Sequence, residues 1–135
     1  MHSRASISIA WMMATALSSC SSPDRRLPPG YRDVVVPVTR IASAEARRAG
    51  RRLFLEHCVL CHGERADGRG VRARLSVPAA NLADRNWRAR VTPRFVYYRV
   101  SEGVRGTPMP AWRTLSEGEL WDLVAYVLSV SEERR

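Results

Sequence analysis

Leu120, Leu123, Val124, Val127 and Leu128 fall three and four residues apart, so on a helix they form one apolar stripe. The spacing predicts a helix over about 117–130. Ser116 and Glu119 stand as a capping box at its start, the hydroxyl and the carboxylate each satisfying an amide that the first turn leaves unpaired. A second helix is predicted over 43–57. Ser43 can cap it, and Glu45 places an acid near its positive end. Gly50 and Phe54 are four apart and share a face of that helix. Gly50 costs about 1 kcal/mol of helix propensity relative to alanine, which points to a close backbone crossing there. A third helix starts at Thr92-Pro93, where the missing proline N–H does no harm, and ends at Gly103. Residues 63–91 are loop-rich, opening with the turn cluster Gly63 to Gly70. The reading is an all-α domain.

The front of the chain has a different pattern. Arg4 precedes an apolar run, Ile7 to Leu17, that is too short to span a bilayer stably. The run ends in Leu17-Ser18-Ser19-Cys20, which resembles the lipobox of bacterial lipoproteins. That resemblance implies cleavage before Cys20, diacylation of its thiol and export to the periplasmic side of a bacterial membrane. An ordinary signal peptide and an uncleaved anchor are the plainer alternatives. Residues 20–42 hold Pro23, Pro28, Pro29, Gly30 and Pro37 and read as a tether, with a reach of roughly 25 Å if flexible. The stretch from Tyr31 to Val36 is also apolar enough to be an arm packed on a partner. The division expected is a signal over 1–19, a lipidated tether over 20–42 and a folded domain over 43–135.

Charge adds a constraint on partners. All 22 basic residues are arginine, and the formal net charge is +9. Loss of Arg4 with the signal lowers it to +8. On an exported domain such a charge suggests an acidic protein partner or an anionic membrane surface. Nucleic acid, the other usual partner of basic chains, does not fit an export signal.

The chemistry is concentrated in Cys58-Val59-Leu60-Cys61-His62, a C-x-x-C-H string of the kind that attaches c-type haem. A bare C-x-x-C can also be half a zinc site or a redox pair. Only His57 lies near enough to add a ligand, and it is poorly placed to share a tetrahedron with Cys58. There is no second C-x-x-C. The other singular residue is Met109, in Gly106-Thr107-Pro108-Met109-Pro110-Ala111-Trp112, the one methionine after Cys20. A methionine filling a gap in the core is the plain alternative.

The two strings, with Asp122-Leu123-Val124-Ala125-Tyr126-Val127, resemble the class I cytochrome c family over about residues 43–131. The resemblance implies a small fold of helices packed around one covalently bound haem c, with the N- and C-terminal helices crossing. It maps that contact to Gly50 and Phe54 against Leu123 and Tyr126. It implies thioether bonds from Cys58 and Cys61, with His62 and Met109 as axial ligands of the iron. A soft, neutral thioether favours the ferrous state, and two occupied axial positions leave one-electron transfer as the chemistry. Pro78 is the candidate whose carbonyl takes the His62 Nδ1 proton, and Leu82 and Trp112 are expected against the porphyrin. Arg85, Trp87, Arg88 and Trp112 are candidates for the haem carboxylates, as are Tyr97 and Tyr98, for which simple packing is the simpler role. With lipid on Cys20 and haem on Cys58 and Cys61, no free thiol remains. The function implied is a membrane-tethered electron carrier between redox protein partners, not itself an enzyme. The chain is also similar to the small monohaem lipoprotein subunits of alternative complex III and to the cytochrome domains of cbb3-type oxidases, so a fixed subunit is the alternative. A haem sensor or peroxidase is a third.

Overall fold

A computed structural model describes residues 23–72 and 76–132. The signal segment and Cys20 lie outside the described residues. The described elements are helical and run from a 3-10 turn, Pro23–Arg26, through α1 (Pro29–Arg32), α2 (Val38–Ala42), α3 (Ala44–His57), α4 (Val59–His62), α5 (Arg85–Arg88) and α6 (Pro93–Glu102) to α7 (Glu117–Ser129). Each long helix starts as its sequence predicts. The Ser43 hydroxyl accepts from the Ala46 amide, and the Thr92 hydroxyl accepts from the Phe95 amide. Ser116 and Glu119 form the reciprocal capping box.

The fold is closed by α3 against α7, its most extensive helix pair. Gly50 is the closest point. A Cβ built there would lie 1.8 Å from the Asp122 carbonyl oxygen and 2.9 Å from Tyr126 Cβ. One turn on, the Phe54 and Tyr126 rings pack with centroids 5.1 Å apart. Leu123 and Val124 are fully buried beneath them. The stripe of α7 widens to a helix buried all round, because α2 and α6 cover what α3 leaves.

Residues 23–42 do not stand clear of the domain as a tether would. They are packed on the domain, and three contacts explain why. Leu27 is 2 % exposed and acts as an apolar plug. The Tyr31 ring meets Tyr98 edge-on at 4.8 Å, and its hydroxyl donates to Glu102 at 2.5 Å. Arg40 forms a two-pronged ion pair with the buried Asp122, at 2.8 and 2.9 Å. Near the start of the segment, Asp24 accepts from Thr92 and Arg94 at the head of α6. Proline and glycine shape the turns of this segment while its few large side chains fasten it down.

Burial, and then the bond to Glu102, push the Tyr31 phenol from its ordinary 10.0 up to about 12. The protonated phenol is therefore favoured by folding. Its contribution is complete below pH 10 and is lost as the pH rises towards about 12. Tyr31→Phe is expected to flatten the fall of stability across that interval, read by denaturant unfolding at a series of pH values. An unchanged slope would show that the contact is absent in solution.

Candidate functional site

The helix break after α3 sets up the site. Cys58 ends α3, its amide donating to the Phe54 carbonyl, and Cys61 and His62 follow within the single turn of α4. The loop after α4 then folds back. The amides of Gly68, Gly70 and Arg72 donate to the carbonyls of His62, Cys61 and Leu60. These bonds satisfy carbonyls that a short helix leaves open and hold the turn rigid.

A second loop fixes the histidine. Ala66 is wholly buried, and its carbonyl accepts from the amides of Leu82 and Ala83. That anchor brings the Ala80 carbonyl to 3.1 Å from His62 Nδ1. A carbonyl only accepts, so Nδ1 carries the proton and Nε2 keeps its lone pair. The sequence reading gave this acceptor to Pro78. The acceptor is Ala80, because the Ala66 anchor sets the loop two residues further along. Pro78 lies on the cavity wall instead. Burial lowers the affinity of His62 for a second proton, and the Ala80 bond opposes this only in part. The imidazole is thus held neutral and aimed, the form in which it binds metal.

Met109 comes from the opposite side. Gly103 ends α6 at φ +68, and a Cβ on it would lie 2.6 Å from the Met109 carbonyl oxygen. Only glycine lets the loop cross so closely. The Met109 amide donates to the Thr107 hydroxyl at 3.2 Å, and its carbonyl accepts from the Val104 amide at 3.2 Å. Pro108 and Pro110 stiffen the flanks. Trp112 closes the loop, its amide bonded to the Val100 carbonyl and its ring packed on His57 at 4.7 Å.

Between these elements lies a largely apolar cleft with two lobes, of about 240 and 280 Å³. Cys58, His62, Ala80, Val104 and Met109 line both lobes. Cys61 and Trp112 face the first lobe, and Leu82 and Trp87 the second. Arg85 and Arg88 line neither; Arg88 donates instead to the Leu128 carbonyl. Tyr97 stacks on Trp121 at 4.4 Å, so its role is packing. Sequence reading missed Arg99, which lines the second lobe and is held over the Phe95 and Tyr98 rings at 5.0 and 5.5 Å. Its position one turn after Phe95 was the available signal. Among the described residues, no carboxylate lines either lobe. Burial pushes the Cys58 thiol up to about 12, so it sits in this apolar wall as a neutral thiol.

Residues 45–127 match the family described as cytochrome c oxidase, cbb3-type, subunit III. The chain belongs to this family of c-type cytochromes. Among solved structures the cytochrome is similar to a chain of the reducing HAO-like protein complex of Kuenenia stuttgartiensis, with a TM-score of 0.58 and 28% identity. The match covers 65% of this chain and 44% of that one, so the cytochrome spans less than half the length of its neighbour. No curated protein matches it. Membership makes haem c the cofactor of this cytochrome. The residues of the cleft fit that group. Two thiols stand on one wall of an apolar cleft, an aimed neutral imidazole stands beside them, and a thioether faces the same space.

Proposed function

We propose that the cytochrome carries single electrons on a haem bonded through Cys58 and Cys61, with His62 and Met109 as the axial ligands. The observation that carries this reading is that Cys58, His62 and Met109 line both lobes of one cleft. Bound haem supplies a one-electron iron couple. The chain supplies the rest. Ala80 fixes the His62 tautomer, and the Val104 and Thr107 bonds fix the loop that bears Met109. Leu82, Val96, Val100 and Leu123 exclude water from the second lobe. With both ligands anchored by backbone bonds, little moves when the charge on the metal changes. Lipid on Cys20 would hold the protein at the periplasmic face of a membrane, among redox partners with acidic docking surfaces. The test is the absorption spectrum, oxidised and reduced, with carbon monoxide added to the reduced form. A low-spin spectrum unmoved by carbon monoxide is expected. A shift on its addition would overturn the ligation by Met109 and point to sensing or catalysis.

A second reading has its own support. The family description names an oxidase subunit, and the solved neighbour comes from a protein complex. The cytochrome would then be a fixed subunit of a larger oxidoreductase. Purification in mild detergent separates the two: a stoichiometric complex favours the subunit, and a lone chain favours the carrier.

A further inference from the structure

The end of the domain where the chain leaves for Cys20 is strongly basic. Arg25, Arg26 and Arg32 lie on the packed N-terminal segment and are exposed, and Arg90 is exposed just before α6. The Asp24 contacts with Thr92 and Arg94 bring these stretches together. The nearby acids are mostly engaged: Asp24 binds Arg94, and Asp84 caps α5 through the Asn86 amide, leaving Asp33 exposed. The first lobe of the cleft, with the Met109 loop, opens beyond the other end of α6, while the second lobe runs back along the helix to Phe95 and Val96 in its first turn. Thr92 heads that helix at the basic end, and Gly103 at its tail touches the Met109 loop. Ten residues at 1.5 Å each separate the two ends by about 15 Å. Only three residues join Cys20 to Pro23, a span of roughly 10 Å at most.

From this we infer that the arginine face formed by Arg25, Arg26, Arg32 and Arg90 lies on anionic phospholipid, so that the cytochrome rests on the bilayer in one orientation. The first lobe and the Met109 loop then face away from the lipid, towards redox partners. The lipid surface is favoured over an acidic protein because the chain enters the domain through this face, within reach of the modification site. The orientation rests on the reading that Cys20 is lipidated; the affinity of the face for anionic lipid does not.

The test uses the full-length holoprotein with Cys20→Ser and compares phosphatidylglycerol–phosphatidylcholine vesicles with pure phosphatidylcholine vesicles. The ratio of the two affinities removes any contribution of the apolar leader. A preference for the anionic vesicles of at least about tenfold is expected at low salt, and it should vanish at high salt. Arg25→Glu/Arg26→Glu/Arg90→Glu should abolish it. The equal charge change Arg52→Glu/Arg69→Glu/Arg105→Glu, at exposed positions elsewhere, should leave most of it. No preference in the parent, or equal loss in both triple variants, overturns the proposal. In those cases the face is left to an acidic protein or to net charge alone. Mass spectrometry of the unmutated protein reports lipidation of Cys20 separately, so failure of the anchor and failure of the face are told apart.

Discussion

Gly50→Ala is expected to cost about 3 kcal/mol of stability, an effect at the upper end for added bulk in a packed core. On an exposed helix the same change would gain about 1 kcal/mol. The sign reverses because the new methyl would sit 1.8 Å from the Asp122 carbonyl oxygen and 2.5 Å from its carbon. These are backbone atoms of a helix and cannot swing aside. Relief requires α3 and α7 to move apart, which loosens the Phe54–Tyr126 contact and pulls on the ion pair from Asp122 to Arg40. Denaturant unfolding of the holoprotein measures the loss. A variant as stable as the parent would mean that the helices do not cross at Gly50.

Met109→Ala is expected to retain covalent haem, bind carbon monoxide when reduced and lower the potential. Axial ligands command a span of roughly 0.8 V, and loss of a soft thioether should take a tenth or more of it. Stability should change less than with Gly50→Ala, because Met109 is only half-buried and its loop is held by backbone bonds that alanine keeps. Potentiometry and carbon monoxide titration provide the readout. A variant with the parent's potential and no carbon monoxide binding would remove Met109 from the iron.

The long helices were legible because their signals are local. Ser43, Thr92 and Ser116 cap as their neighbours require, and α7 ends one residue before the predicted boundary. The C-x-x-C-H string and the proline-flanked Met109 were legible for the same reason. What escaped depends on partners distant in sequence. Ala80 rather than Pro78 meets His62 because a buried carbonyl at Ala66, fourteen residues earlier, anchors the loop. Local composition contains nothing that counts two residues along a loop. The packed course of 23–42 escaped because prolines and a glycine dominate its pattern. Of the side chains that hold it, Tyr31 and Arg40 find their partners 71 residues away at Glu102 and 82 away at Asp122. Arg99 escaped because its face of α6 carries both aromatic packing and a cavity wall.

The packed N-terminal segment also bears on where the protein can be cut. The span shared with the family is 45–127, and a fragment trimmed to it keeps α3 without its first residue and its Ser43 cap, the C-x-x-C-H turn, the Met109 loop and most of α7. It would lack Leu27 from the core, the Arg40 partner of the buried Asp122, and Val130 and Ser131, which are buried beyond its other end. Such a fragment carries every residue proposed to hold the haem, yet has open seams where these side chains were. What is inherited across the family and what must fold together in this chain have different ends.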